Sequence, residues 1–215
     1  VIGGNRSFGS LEFHPDGSWV TSMSDSQLPS EFYALKDGNL RRLTSIQDDF
    51  VAGLSLATVE KFSSTSKDGV VVSNLLFLPA SAKKEKLPVI FYIHGGPVGQ
   101  DDFGFDLTRQ MLAAKGYAVI AVNYRGSNGR GIDFCKSIYA DWGNKEVLDI
   151  QGAADYLISK GIIDGNRMGI GGWSYGGILT DYTIAKDTRF KAAISGAGSA
   201  LQLSLYGVDQ YILQL

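Results

Sequence analysis

A serine framed by glycines, Gly172-Trp173-Ser174-Tyr175-Gly176, constrains this chain more than any other feature. It follows the short apolar run Met168–Gly171 and opens directly into the helical run Tyr175–Ala185. A strand that becomes a helix without a loop holds its turning residue in a strained backbone. It also brings neighbouring backbones so close that only Gly fits at Gly172 and Gly176. Gly177 gives the helix further room to approach the sheet. The serine hydroxyl is thereby raised above the sheet. First-turn N–H groups have no partner within the helix, and the helix dipole is positive there. The N–H of Tyr175 can therefore face the oxyanion that forms when Ser174 attacks a carbonyl.

The surrounding pattern gives that turn its setting. Pro88–Ile93 and Tyr117–Val122 are continuous apolar runs of strand length, and Phe105–Lys115 between them is a helix ended by Gly116. Val147–Lys160 carries Val147, Ile150, Ala154, Leu157 and Ile158 on one face at helical spacing, and Gly161 closes it. Lys191–Ser195 is a further strand. Strands and helices that alternate, with strands apolar on both faces, imply an α/β fold whose mostly parallel sheet is covered on both sides by helices. Ahead of it, Val51–Ser64 and Val70–Leu78 read as a strand pair turned by Lys67-Asp68-Gly69, and Ala80–Lys86 as a charged surface connection. Asn123–Gly131, with Arg125 and Arg130, either shapes the site or is a polar loop, and the loop is the reading taken.

Residues 1–50 have another texture, rich in Ser, Gly and Asp. His14-Pro15-Asp16-Gly17 and Lys36-Asp37-Gly38-Asn39 are turn sequences, with β-like runs at Trp19–Ser22 and Glu31–Leu35, so two or three antiparallel strands are expected. Such a meander is marginal alone. Two domains follow, 1–50 and 51–215.

A serine hydroxyl needs a general base. No His follows Ser174, and His94 precedes it, whereas in this arrangement the order is Ser, then Asp or Glu, then His. His94 instead suits a role in orienting the loop His94-Gly95-Gly96-Pro97, which follows Pro88–Ile93 and can bring a second N–H to the oxyanion. His14 reads as an exposed turn residue, and Asp181, Asp187 and Asp209 as surface or capping carboxylates. With the base missing and the sheet breaking off after Lys191–Ser195, the chain reads as a fragment truncated at both ends, inactive and poorly soluble by itself.

Composition excludes alternatives. A net charge of −2 gives no reason to expect a nucleic-acid or anionic-membrane partner, and no apolar run is long enough to span a bilayer. One Cys and two His make no metal cluster, and no phosphate-binding glycine loop is present, so no metal or cofactor is expected. The lone Cys135 excludes an internal disulfide and leaves the compartment open between cytoplasm and periplasm or exterior, the cytoplasm slightly ahead.

His94–Pro97, Tyr117–Gly131, Asp141-Trp142-Gly143, Gly172–Gly177 and Asp187–Ser195 together resemble the prolyl oligopeptidase family of serine peptidases, in its acylaminoacyl- and dipeptidyl-peptidase branch. The resemblance covers most of 55–215. It implies a partial α/β-hydrolase fold preceded by the remnant of a β-propeller, since His14–Gly17 resembles that propeller's recurrent turn. It implies hydrolysis of short peptides, because the propeller excludes folded proteins. It makes Ser174 the nucleophile and the backbone N–H groups of Tyr175 and Gly96 the oxyanion donors, and it puts the Asp and His of the triad beyond Leu215. Some members carry a tyrosine where His94 stands. A carboxylesterase of the same fold, or a non-catalytic interaction chain if the protein ends at Leu215, are the competing readings.

Overall fold

Turn chemistry shapes the first sheet. In the computed structural model, which describes residues 3–80 and 83–206, β1 (Ser7–Phe13), β2 (Trp19–Ser24), β3 (Glu31–Lys36) and β4 (Asn39–Arg42) form an antiparallel meander in chain order. At the first turn Gly17 takes φ 84°, the His14 N–H donates to Ser18 O at 2.8 Å, and the Asp16 carboxylate accepts the Ser18 N–H at 2.9 Å. At the last, Asp37 and Gly38 take φ 50° and 78°, as a two-residue hairpin requires. The sheet has four strands rather than two or three. A bulge between Phe8 and Leu11 breaks the two-residue alternation of β1 that would have marked it as a strand. Four antiparallel strands are the form of one propeller blade.

The expected strand from Val51 is not there. Residues Asp48–Ala52 form a short helix, α1, with Asp48 and Asp49 in its first turn, where the helix dipole favours negative charge. Pairing begins only at β5 (Thr58–Thr65), which runs antiparallel to β6 (Val71–Leu78). The chain then alternates through β7 (Leu87–Ile93), α2 (Leu107–Ala114), β8 (Ala118–Asn123), α3 (Ile132–Lys136), α4 (Lys145–Ser159), β9 (Ile163–Trp173), α5 (Tyr175–Lys186) and β10 (Phe190–Gly196). These strands make one sheet in the order β10-β9-β7-β8-β6-β5. The four from β10 to β8 are parallel, and β6 and β5 complete the sheet antiparallel.

Two layers of apolar side chains cover it. Helices α4 and α5 pack on one face, where Ile150, Ala154, Leu157 and Leu179 meet Val89, Phe91, Ile120 and Ile170. Helix α2 packs on the other, with Ala113 against Val119, Ala121, Leu75 and Phe77. The Gln110 side chain joins the two sheets: it donates to Ser26 O at 2.8 Å and accepts the Ala57 N–H at 2.7 Å. This is an α/β fold with a mostly parallel sheet. No helix among the described residues is long and apolar enough to cross a membrane.

The order of strands places the site. From β7 the chain crosses by α2 to β8, on one side. From the adjacent β9 it crosses by α5, on the opposite face, to β10 on the other side. Neighbouring strands whose connections diverge leave a crevice at their carboxyl ends, where α/β folds bind ligands.

Candidate active site

Both sequence motifs open onto that crevice. β7 ends in the loop His94–Pro97, and β9 ends in Ser174. The two strands pair in register through Ile93 and Gly172, so the loop and the serine leave the sheet side by side.

Ser174 has φ 57° and ψ −120°, a conformation ordinary L-residues avoid, and its N–H donates to Gly196 O at 2.9 Å. Its side chain is exposed, and the hydroxyl takes no hydrogen bond among the described residues. The close approach that holds the strain is visible at the glycines. A Cβ on Gly172 would lie 2.5 Å from Ile93 O, and one on Gly176 would overlap the same oxygen. A Cβ on Gly177 would lie 2.5 Å from Gly196 O.

The loop after β7 lies against the serine. A Cβ on Gly95 would be 2.9 Å from Trp173 O, 3.4 Å from Ser174 Cβ and 3.7 Å from Tyr175 N. Gly96 follows with φ 131° and a cis bond to Pro97, and its N–H has no acceptor among the described residues. The loop thus carries the Gly96 N–H, while its Gly95 packs against Ser174 and the first-turn N–H of Tyr175.

His94 is not the base of this serine. Its Nδ1 lies 2.8 Å from Gly95 O and its Nε2 2.9 Å from Ser127 Oγ. Nδ1–H donates to the carbonyl, and in the neutral ring Nε2 accepts the Ser127 hydroxyl proton, so both nitrogens are engaged. Burial lowers its pKa, in keeping with that state. The ring stacks on Tyr124 at 4.3 Å, and the Tyr124 hydroxyl donates to His94 O at 2.8 Å. His94 is thus a strut within the loop.

Four contributors were not marked by the sequence. Tyr124 and Ser127 fix His94 from the segment read as a plain polar loop. Arg125 in that segment is buried: it donates to both carboxylate oxygens of Asp149 at 2.9–3.1 Å, to Asp68 at 2.5 Å and to Lys145 O at 2.9 Å. Glu146 of α4 is wholly buried and accepts from the Tyr175 hydroxyl. Only the glycines around Tyr124–Gly131 hinted at so packed a loop. Of the downstream carboxylates, Asp181 accepts from Ser195 Oγ at 3.0 Å. Asp187 is buried instead of lying at the surface. Although burial pushes its carboxyl up, the Arg189 side chain and N–H, at 2.6–3.0 Å, hold it below the usual range. Asp209 lies outside the described residues.

An exposed hydroxyl on a strained turn, at the start of a helix and at the end of a parallel sheet, is suited to attack on a carbonyl carbon. Comparison with known proteins agrees. Residues 103–213 match the model of the prolyl oligopeptidase family. An uncharacterized peptidase, YuxL, of Bacillus subtilis is 35% identical over 204 residues, covering 93% of this chain and 31% of that protein. Dipeptidyl aminopeptidase BIII of Pseudoxanthomonas mexicana is 31% identical over 183 residues, 80% of this chain and 26% of that protein. The solved acylaminoacyl peptidase of Pyrococcus horikoshii superposes with a TM-score of 0.89 at 29% identity, over 100% of this chain and 34% of its own. The chain spans about a third or less of the length of these relatives. It belongs to the prolyl oligopeptidase family.

Proposed function

We propose that the protein containing this chain is a serine peptidase that hydrolyses short peptides through an acyl-enzyme on Ser174. The observation that carries this reading is the exposed Ser174 at φ 57°, at the start of α5 and packed against Gly95 of the loop after β7; the N–H groups of Tyr175 and Gly96 are the oxyanion donors of this reading. Residues 51–215 are the N-terminal part of the hydrolase domain, and 1–50 the end of a propeller that admits only short chains. The Asp and His of the triad come from outside these 215 residues.

In this mechanism Ser174 Oγ attacks the scissile carbonyl carbon while the His takes its proton. The carbonyl oxygen becomes an oxyanion held by the two N–H groups. The intermediate collapses, the His protonates the leaving amine, and an ester remains on Ser174. Water then attacks that ester by the same route in reverse and frees the acid. Relatives called dipeptidyl aminopeptidase and acylaminoacyl peptidase support a substrate with a free or acylated N-terminus near the cleaved bond.

The test is Ser174→Ala in the full-length protein, assayed on aminoacyl-, dipeptidyl- and acylaminoacyl-anilides. A fall in kcat of the order of 10⁶-fold, with the melting temperature kept, is expected. Retained activity would sink the assignment. The same fold also supports ester hydrolysis. Turnover of short acyl esters without turnover of any anilide would make the protein a carboxylesterase.

A further inference from the structure

Outside the groups that touch substrate, one buried ionisable side chain lies against the catalytic turn. Glu146, on the first turn of α4, has no exposed surface. Its Oε1 accepts from the Tyr175 hydroxyl and from the Gly143 N–H at 3.2 Å, while its Oε2 has no partner among the described residues. Gly143 is itself fixed, with φ 77°, its Cα against the Tyr182 ring and its carbonyl accepting Lys186 Nζ at 2.7 Å. The carboxyl is therefore presented from a turn clamped onto α5.

Tyr175 is the residue whose N–H faces the oxyanion, and its ring is held on each side. Trp142 meets it edge-on at 4.9 Å, and Tyr124 lies parallel to it at 6.1 Å. Those rings restrict its tilt, but they leave its position along the plane of the ring to the hydroxyl. Among the described residues only Glu146 fixes that end. A buried carboxyl with an unpaired oxygen costs stability, and a Leu at 146 facing a Phe at 175 would join the two helices at less cost.

We propose that Glu146 is a positioning residue for acylation: by holding the Tyr175 hydroxyl it fixes the register of the first turn of α5, and with it the Tyr175 N–H beneath the developing oxyanion. This rests on the reading of Ser174 as nucleophile.

The experiment uses the full-length protein and the variants Tyr175→Phe, Glu146→Gln, Glu146→Leu, the pair Tyr175→Phe with Glu146→Leu, and Ser174→Ala. Each is assayed for kcat and KM on an anilide substrate and for its melting temperature. Tyr175→Phe and Glu146→Leu should each lower kcat roughly 10- to 100-fold, less than outright loss of an oxyanion donor, with KM within about 2-fold. Glu146→Gln, whose amide oxygen still accepts the hydroxyl, should retain most of the rate. The pair should be no slower than its slower member, because both changes remove the same contact. Unchanged kcat in folded Tyr175→Phe, losses that multiply in the pair, or losses confined to KM would overturn the proposal. If Glu146→Leu does not fold, Tyr175→Phe against Glu146→Gln decides. Activity that survives Ser174→Ala overturns the reading of the site itself. Its loss, alongside wild-type kcat in the Tyr175 and Glu146 variants, overturns this proposal alone.

Discussion

Ser174 occupies a backbone conformation that glycine adopts freely and serine does not, so the fold carries a local cost at its most reactive residue. That cost is measurable apart from catalysis. Ser174→Gly and Ser174→Ala both lack the hydroxyl, and only the first relieves the backbone. Ser174→Gly should be more stable than Ser174→Ala by about 1–2 kcal/mol in denaturant unfolding of the full-length protein; equal stabilities would show that the turn is unstrained. His94 allows a second prediction at this scale. Burial lowers its pKa in the folded state below the value near 6.5 of the unfolded chain. Between those two values the unfolded state binds more protons, so its contribution to stability is complete above about pH 6.5 and is lost as pH falls through the folded pKa. His94→Gln should flatten the decline of melting temperature in this acid window. An unchanged slope would mean that His94 binds protons alike in the folded and unfolded states. Gly95 is the third test, because a side chain there meets Trp173 O and Ser174 Cβ. Gly95→Ala should displace the loop and lower kcat by roughly 10²-fold, as for a lost oxyanion donor, with a much smaller change in KM.

Among the elements, the segment after β8 is tied down by one guanidinium. Arg125 links the β5–β6 turn through Asp68, the start of α4 through Asp149 and the Lys145 carbonyl, and its own loop, whose N–H donates to Asp149 at 2.7 Å. Removing one partner of such a buried pair leaves the other charge stranded. Arg125→Ala should cost about 3–5 kcal/mol in denaturant unfolding, and Arg125→Lys should recover little of it, since an ammonium cannot make the planar fork. Full recovery by Lys would show that charge alone matters. This element also marks where reading the sequence stops. The alternation of apolar strands and amphipathic helices was legible because each signal is local. Of the predicted face, Val147, Ile150, Ala154 and Leu157 are buried and Ile158 is half-buried at its margin, and Gly161 with φ 69° ends α4. The glycine-framed serine was legible because its tight approach requires residues of a particular size. The side-chain partners of Arg125 and Glu146 lie 24 or more residues away, and a charged residue in a loop or at a helix start looks the same whether solvent or another side chain faces it. Helix α1 and strand β1 escaped for a simpler reason: five residues and a bulged strand are too short or irregular to show a period.

At the scale of the molecule the sheet has two unlike sides. β5 ends it antiparallel, next to a complete hairpin, whereas β10 ends it with Lys191–Ser195 exposed and Ile194 at 78% of its free surface. Trp173, Leu201, Leu203 and Tyr206 are exposed nearby. An open parallel edge beside apolar surface invites association. Residues 1–215 expressed alone should bind a hydrophobic dye and elute as aggregates in size-exclusion chromatography. A monomer that melts cooperatively would show that this face needs no cover. Against that open edge, the pairing of Ile93 with Gly172 at the centre has a different consequence. The loop His94–Pro97 and Ser174 follow the ends of adjacent hydrogen-bonded strands, whose spacing of about 4.8 Å is a property of the peptide backbone rather than of any side chain. The sheet thus acts as a gauge block. Side chains around the crevice can be recut for new substrates while the roots of the loop and of the serine turn stay at the spacing set by the ladder beneath them.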